Sequence, residues 1–112
     1  IFSNYNLSNR LIFKKEVEMS ITKEKTIDKI EVLESGVIQI RTATVIKEDG
    51  DELTRSFHRH LLQPRIKDIS NNTWSDTDIS GEDARVQAIA NATWTDDVKS
   101  AYETLIDSQE TP

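Results

Sequence analysis

Val37-Ile38-Gln39-Ile40-Arg41-Thr42-Ala43-Thr44-Val45-Ile46-Lys47-Glu48-Asp49-Gly50-Asp51-Glu52-Leu53-Thr54-Arg55-Ser56-Phe57-His58-Arg59-His60-Leu61-Leu62 decides the fold. Apolar and β-branched residues alternate here with polar ones at the two-residue period of a strand, and Asp49-Gly50 interrupts them once. Asp-Gly is a strong two-residue hairpin signal, because both turn positions need positive φ. Residues 26–34 alternate in the same way and run into Ser35-Gly36, which reads as a second two-residue turn. The expectation is a three-stranded antiparallel meander over residues 26–34, 37–48 and 51–62.

Those two turns set a register. Asp49-Gly50 places Ile46 opposite Leu53, Thr42 opposite Phe57 and Ile38 opposite Leu61, and Ser35-Gly36 places Leu33 opposite Ile38. One face then carries Leu33, Ile38, Ile40, Ile46, Leu53, Phe57 and Leu61. The other carries Ile30, Val32, Val37, Ala43, Val45 and Leu62, with Gln39, Arg41, His58 and His60 among them. The first face has the bulkier side chains and is assigned to the core, since burying a Leu, Ile or Phe contributes about 1.5–3 kcal/mol. A slip of one residue inverts the assignment.

Residues 63–80 read as a long polar connection. The period then changes. Ser80-Gly81-Glu82-Asp83 resembles a capping box, and Val86, Ile89, Ala90 and Thr93 follow at helical spacing. Asp96 and Asp97 open a second helix, where carboxylates suit the positive end of the dipole, with Val98, Ala101, Tyr102 and Leu105 as its apolar stripe. Helices are expected over residues 81–92 and 95–108, with a frayed tail. The fold class is α+β: a β-meander followed by two C-terminal helices packed on one sheet face. The other sheet face is then less protected.

The only methionine is Met19, and Lys15-Glu16-Val17 lies one Glu codon before it. Lys-Glu-Val is compatible with a purine-rich ribosome-binding sequence upstream of a bacterial start codon. Residues 1–18 therefore read as translated leader and residues 19–112 as one domain. A domain of that length can bury a working core without crosslinks.

The chain has no cysteine, which excludes disulfides and thiolate metal sites. Net charge is −6, and it becomes −7 without residues 1–18, which hold three cations and two carboxylates. So acidic a chain lacks the broad basic footprint of nucleic-acid or anionic-membrane binding. Leu11-Ile12-Phe13 is too short for a membrane span, and the basic residues after it are in the wrong order for a signal peptide. Localisation in a bacterial cytoplasm follows as the expectation.

No catalytic residue is assigned. Ser56 and His58 share a strand face but lack a glycine-rich elbow or oxyanion loop. Asp76, Asp78, Glu82 and Asp83 lack the Gly and Glu of a calcium loop and read as a solvated capping cluster. His58 and His60 lie two apart on one strand face, a spacing that could share a metal. With Arg41 opposite and no third ligand, they read instead as exposed or hydrogen-bonded. No metal or other cofactor is expected. Asn71-Asn72-Thr73-Trp74-Ser75-Asp76 and Asn91-Ala92-Thr93-Trp94-Thr95-Asp96 repeat a pattern twenty residues apart, read as a reused turn device. Trp94 is assigned to packing. The candidate interaction surface is Ile30, Val32, Arg41, Val45, His58, His60 and Trp74.

Several segments together resemble a known group. They are Ile27-Asp28-Lys29-Ile30-Glu31-Val32, Ile38-Gln39-Ile40-Arg41-Thr42-Ala43-Thr44, Asp49-Gly50 and Ser56-Phe57-His58-Arg59-His60. Glu82-Asp83-Ala84-Arg85-Val86-Gln87-Ala88-Ile89-Ala90 and Trp94-Thr95-Asp96-Asp97-Val98 complete the set. The pattern resembles small uncharacterised proteins of tailed bacteriophages, including marine ones, often encoded near structural or tail genes. Here Gln63-Pro64-Arg65 opens a longer, Trp-bearing loop than is usual in that group. The resemblance implies a non-enzymatic virion-associated or assembly protein acting through protein–protein contacts, present in the host cytoplasm during infection and in the virion. Its partners would be other phage structural proteins or a further copy of itself. The alternative is a small early phage protein that binds and modulates a host factor. Deleting residues 1–18 is expected to leave the thermal unfolding midpoint of the domain unchanged by circular dichroism; a drop of more than a few degrees would refute the leader reading.

Overall fold

A computed structural model describes residues 20–110 of the chain. The expected leader and its boundary at Met19 lie outside the described residues. The element order is β1 (Ile21–Val32), β2 (Ile38–Glu48), β3 (Asp51–Leu62), β4 (Arg65–Asp68), β5 (Thr73–Asp76), α1 (Ala84–Thr93) and α2 (Asp96–Glu110). The first three strands form an antiparallel meander in the order β1-β2-β3, and β4 and β5 form a separate two-stranded sheet. The α+β class is as the periodicity predicts. The chain forms two compact units, residues 20–26 with 42–58, and residues 27–41 with 59–110.

Apart from Ser20, the described residues of the first unit belong to β1, β2, β3 and the turn between β2 and β3. Asp49 and Gly50 have φ of 51° and 90°, both positive, as a two-residue loop of this kind requires. Asp49 also ties the tip to the start of β1: its N–H donates to the Ser20 carbonyl at 2.8 Å, and its side chain accepts from Ser20 N–H at 3.2 Å. Ala43 and Val45 are the buried apolar positions here, while Ile21, Leu53 and Phe57 are exposed.

The second unit holds the main core. Ile38, Ile40, Leu62, Val86 and Ala90 form its centre, with Ile27, Ile30, Ile79, Ile89 and Trp94 packed around them. α1 therefore faces the sheet through Val86 and Ala90, four residues apart on one helical stripe. Asp83, rather than Ser80, caps it, its side chain accepting the Arg85 N–H at 2.9 Å. The expected start at residue 81 thus moves to Ala84, and the expected end at 92 to Thr93.

The first turn has three residues, not two. Gly36 N–H donates to Leu33 O at 2.9 Å, Leu33 N–H donates to Val37 O at 2.8 Å, and Gly36 has φ +95°. This is a turn closed by a left-handed glycine. It pairs Leu33 with Val37 instead of Ile38. That one-residue change brings Ile30 to the side of Ile40, and Ile30 joins the core instead of facing away.

Burial changes face within β2. Ile38 and Ile40 are buried on one face in the second unit, and Ala43 and Val45 are buried on the other face in the first. The face of bulky side chains expected to be the core is therefore split. Ile38 and Ile40 are buried, but Leu53, Phe57 and Leu61 are 57%, 44% and 58% exposed. Leu62, placed on the other face by the two-residue registers, is buried.

The polar connection expected over residues 63–80 contains the β4–β5 hairpin, paired from Arg65 with Asp76 to Asp68 with Thr73. Asp68 organises its turn by accepting from Ser70 N–H, the Ser70 hydroxyl and Asn71 Nδ2 at 2.7–3.1 Å. Asn72 completes the turn with φ 55°. Asp68-Ile69-Ser70-Asn71-Asn72 is a legible turn signal. The flanking strands are only four residues each, which hid the hairpin.

A Cβ at Gly36 would lie 2.7 Å from Val98 Cγ1 and 3.0 Å from Pro64 Cγ, in a backbone conformation L-residues avoid. Gly36→Ala is expected to destabilise the fold by about 2–4 kcal/mol, from left-handed strain and overpacking together. Urea unfolding monitored by tryptophan fluorescence measures it; a change below about 0.5 kcal/mol would contradict the close approach.

Candidate interaction surface

The residues singled out from sequence do not form one surface. In the second unit, Ile30 packs against the core and Val32 is exposed. Arg41 makes a bidentate bond to Asp28, with both nitrogen–oxygen distances 2.9 Å. In the first unit Val45 is buried, 6% exposed, and His58 is exposed. His60 is half-buried with Nε2 3.0 Å from Glu82 Oε1, so it ties the end of β3 to the turn before α1. Ile30 thus departs from the expected uncovered face through the turn at Gly36, and Val45 is on the expected face but that face is covered there. Among the described residues, no three His, Asp or Glu side chains gather as a metal site. No described helix is long and apolar enough to cross a membrane.

Trp74 lies elsewhere, on β5. Its ring meets Tyr102 of α2 edge to face, with centroids 6.2 Å apart and planes at 77°. Lys67 Nζ sits 5.7 Å from the same indole centroid and bonds Asp107 at 3.0 Å. An edge-to-face pair contributes about 0.5–1.5 kcal/mol beyond burial, and an exposed cation–π contact about 0.5–1. Burial raises the Tyr102 hydroxyl above its ordinary pKa. The two Trp motifs serve different ends: the first is strand β5, whereas Trp94 is the C-cap of α1. Trp94 donates its indole N–H to the Gly36 carbonyl at 2.7 Å.

One side of α2 is bound to the short hairpin by ions. Lys99 reaches Asp76 at 3.0 Å, Glu103 receives Arg65 Nε at 2.9 Å, and Asp107 receives Lys67. These three helix residues recur every four positions and so share a stripe. Arg65 also donates to Asp76 at 2.6 Å, making Asp76 the shared acceptor of two cations. Hydrogen bonds first from Lys99 and then from Arg65 hold the Asp76 carboxyl below its usual range. The Asp76 bond in turn raises the Arg65 guanidinium. The sequence places Asp76 in a capping cluster, and the helix partners of Arg65 and Lys67 are 38 and 40 residues away in sequence.

The apolar stripe of α2 is turned elsewhere. Val98, Ala101, Tyr102 and Leu105 line an open groove of about 270 Å³, with Glu34 and Asp97 at its edge. Tyr102 is buried, Val98 half-buried, and Ala101 and Leu105 exposed, Leu105 at 40%. The periodicity identified this stripe correctly as apolar, but not its partial exposure. A smaller hollow of about 50 Å³ lies among Lys29, Glu31, Gln39, Arg41 and Arg59, a mixed-charge patch.

No family model, curated protein or solved structure matches this chain.

Because Asp76 ionises more readily in the folded chain, its contribution is present above the unfolded carboxylate pKa of about 3.9 and fades as pH falls through the lower folded value. Asp76→Asn should lower the thermal midpoint near neutral pH, and the difference from the parent should shrink toward about pH 2. Melting curves across the acid range test this; a difference independent of pH would show that Asp76 acts without its charge.

Proposed function

We propose that this chain is a non-enzymatic phage protein, virion-associated or acting in assembly, that works through protein–protein contact. The observation that supports contact is the apolar row on β3. Leu53 and Phe57 of the first unit are 57% and 44% exposed, and four residues apart in a strand they share a face. Exposed apolar area marks interaction sites. The strand also lies at the edge of the three-stranded sheet, where strands can pair with a partner chain. The phage lineage rests on the sequence resemblance.

The chemistry of the site favours contact over catalysis. His60 is engaged with Glu82, and Asp76 is engaged with two cations; these groups hold elements together. The acidic balance of the chain, −6, favours a basic target and supports the second reading, modulation of a host factor.

Affinity capture of the tagged protein from infected cells, with mass spectrometry of purified virions, separates the two. Phage structural proteins in the eluate and the chain itself in virions are expected. Capture of a host enzyme alone, with the chain absent from virions, would overturn the virion reading. Leu53→Asp is expected to reduce capture about tenfold, equivalent to ~1.4 kcal/mol, while leaving the circular dichroism spectrum unchanged.

A further inference from the structure

We infer that the groove along α2 is a docking site for a basic, amphipathic segment of another protein. This rests on the protein-contact reading and supplies the partner's chemistry and a second surface. An amphipathic helix ordinarily turns its apolar stripe into its own core. Here the stripe is only partly turned in: Tyr102 is buried against Trp74 and Val98 half-buried, while Ala101 and Leu105 stay exposed. The opposite stripe, Lys99, Glu103 and Asp107, is held by Asp76, Arg65 and Lys67 of the hairpin. The ion pairs fix the rotation of the helix about its axis. Val98, Ala101, Tyr102 and Leu105 are left along the groove.

Its size fits an inserted side chain. A volume of about 270 Å³ falls just under the ~300–1,000 Å³ of small-molecule sites. The stripe runs from position 98 to 105, a rise of roughly 10 Å, or two turns. That length suits anchors at i, i+3, i+4 and i+7 of a partner helix.

The charge at the edge selects the partner. Glu34 and Asp97 stand on the rim of the groove, and among the described residues no cation bonds either one. A second copy of the chain would bring its own α2 against this rim. That helix carries Asp96, Asp97, Glu103 and Asp107 against a single Lys99, so copy-on-copy docking sets carboxylates against carboxylates. A Lys- or Arg-bearing segment pairs with the rim while its apolar residues fill the stripe.

The test uses the full chain, labelled for amide NMR and titrated with a synthetic helical Leu/Lys peptide and its Leu/Glu counterpart. The Leu/Lys peptide is expected to shift the amides of Glu34, Val98, Ala101 and Leu105, and the Leu/Glu peptide to leave them unmoved. Leu105→Asp discriminates further, since Leu105 is exposed enough for the variant to fold. Groove docking predicts at least about tenfold weaker binding, although the variant is more acidic; charge adsorption alone predicts equal or tighter binding. Equal binding of both peptides, shifts centred away from α2, or unweakened binding to Leu105→Asp would each overturn the proposal. Light scattering on the chain alone adds a separate arm. A dimer that Leu105→Asp dissociates would make the occupant a second copy, refuting the basic partner while leaving protein contact intact. Loss of cellular capture in Leu53→Asp but not in Leu105→Asp would likewise refute the groove alone.

Discussion

The indole N–H of Trp94 meets the carbonyl of Gly36 at 2.7 Å, and the second unit is organised around that approach. It is possible only because position 36 has no Cβ: Val98 and Pro64 occupy the space one would need. The same glycine supplies the positive φ that closes a three-residue turn. One residue therefore joins the β1–β2 connection, the end of α1 and the start of α2. Leu33 is paired with Val37 by that turn, and Ile30 is brought into the cluster of Ile38, Ile40, Leu62, Val86 and Ala90.

From that junction the second helix is held by ion pairs together with the burial of Tyr102. Single exposed ion pairs contribute little, about 0–1 kcal/mol. Three of them on one helical stripe, joined by Trp74 against Tyr102, define a rotation even where each is weak. The consequence is functional. A helix held by its polar side leaves its apolar side partly open, and that exposure makes the groove at Val98 and Leu105 a candidate contact surface. The β3 row has a different origin. Leu53 and Phe57 are exposed on β3, which lies at the edge of the three-stranded sheet.

Much of this was legible in the chain alone. The period of two across β2 and β3, the Asp49-Gly50 turn with both φ positive, and the change to helical spacing after Asp83 are local properties. They are encoded in propensity and turn chemistry, and the α+β class follows from them. The apolar stripe of α2 and the packing role of Trp94 were local as well. Even the missed β4–β5 hairpin carried a local mark in Asp68, Ser70 and Asn72, although two four-residue strands are too short for a periodicity to register.

Tertiary structure decided which apolar residues are inside. Both faces of the meander carry bulky side chains, so the pattern alone is nearly symmetric, and a single residue of register chooses between them. The three-residue turn at Gly36 sets the register at the start of β2, and the buried face changes between Ile40 and Ala43. Leu53, Phe57 and Leu61 were left outside and Leu62 was taken in. The partners of Asp76, Arg65 and Lys67 were hidden for a related reason: a charge carries no directional signal in sequence, and its partner is whichever opposite charge the fold delivers. By itself the sequence determined the elements and their order; register and long-range ion pairing, which exist only once the elements meet, determined the surfaces.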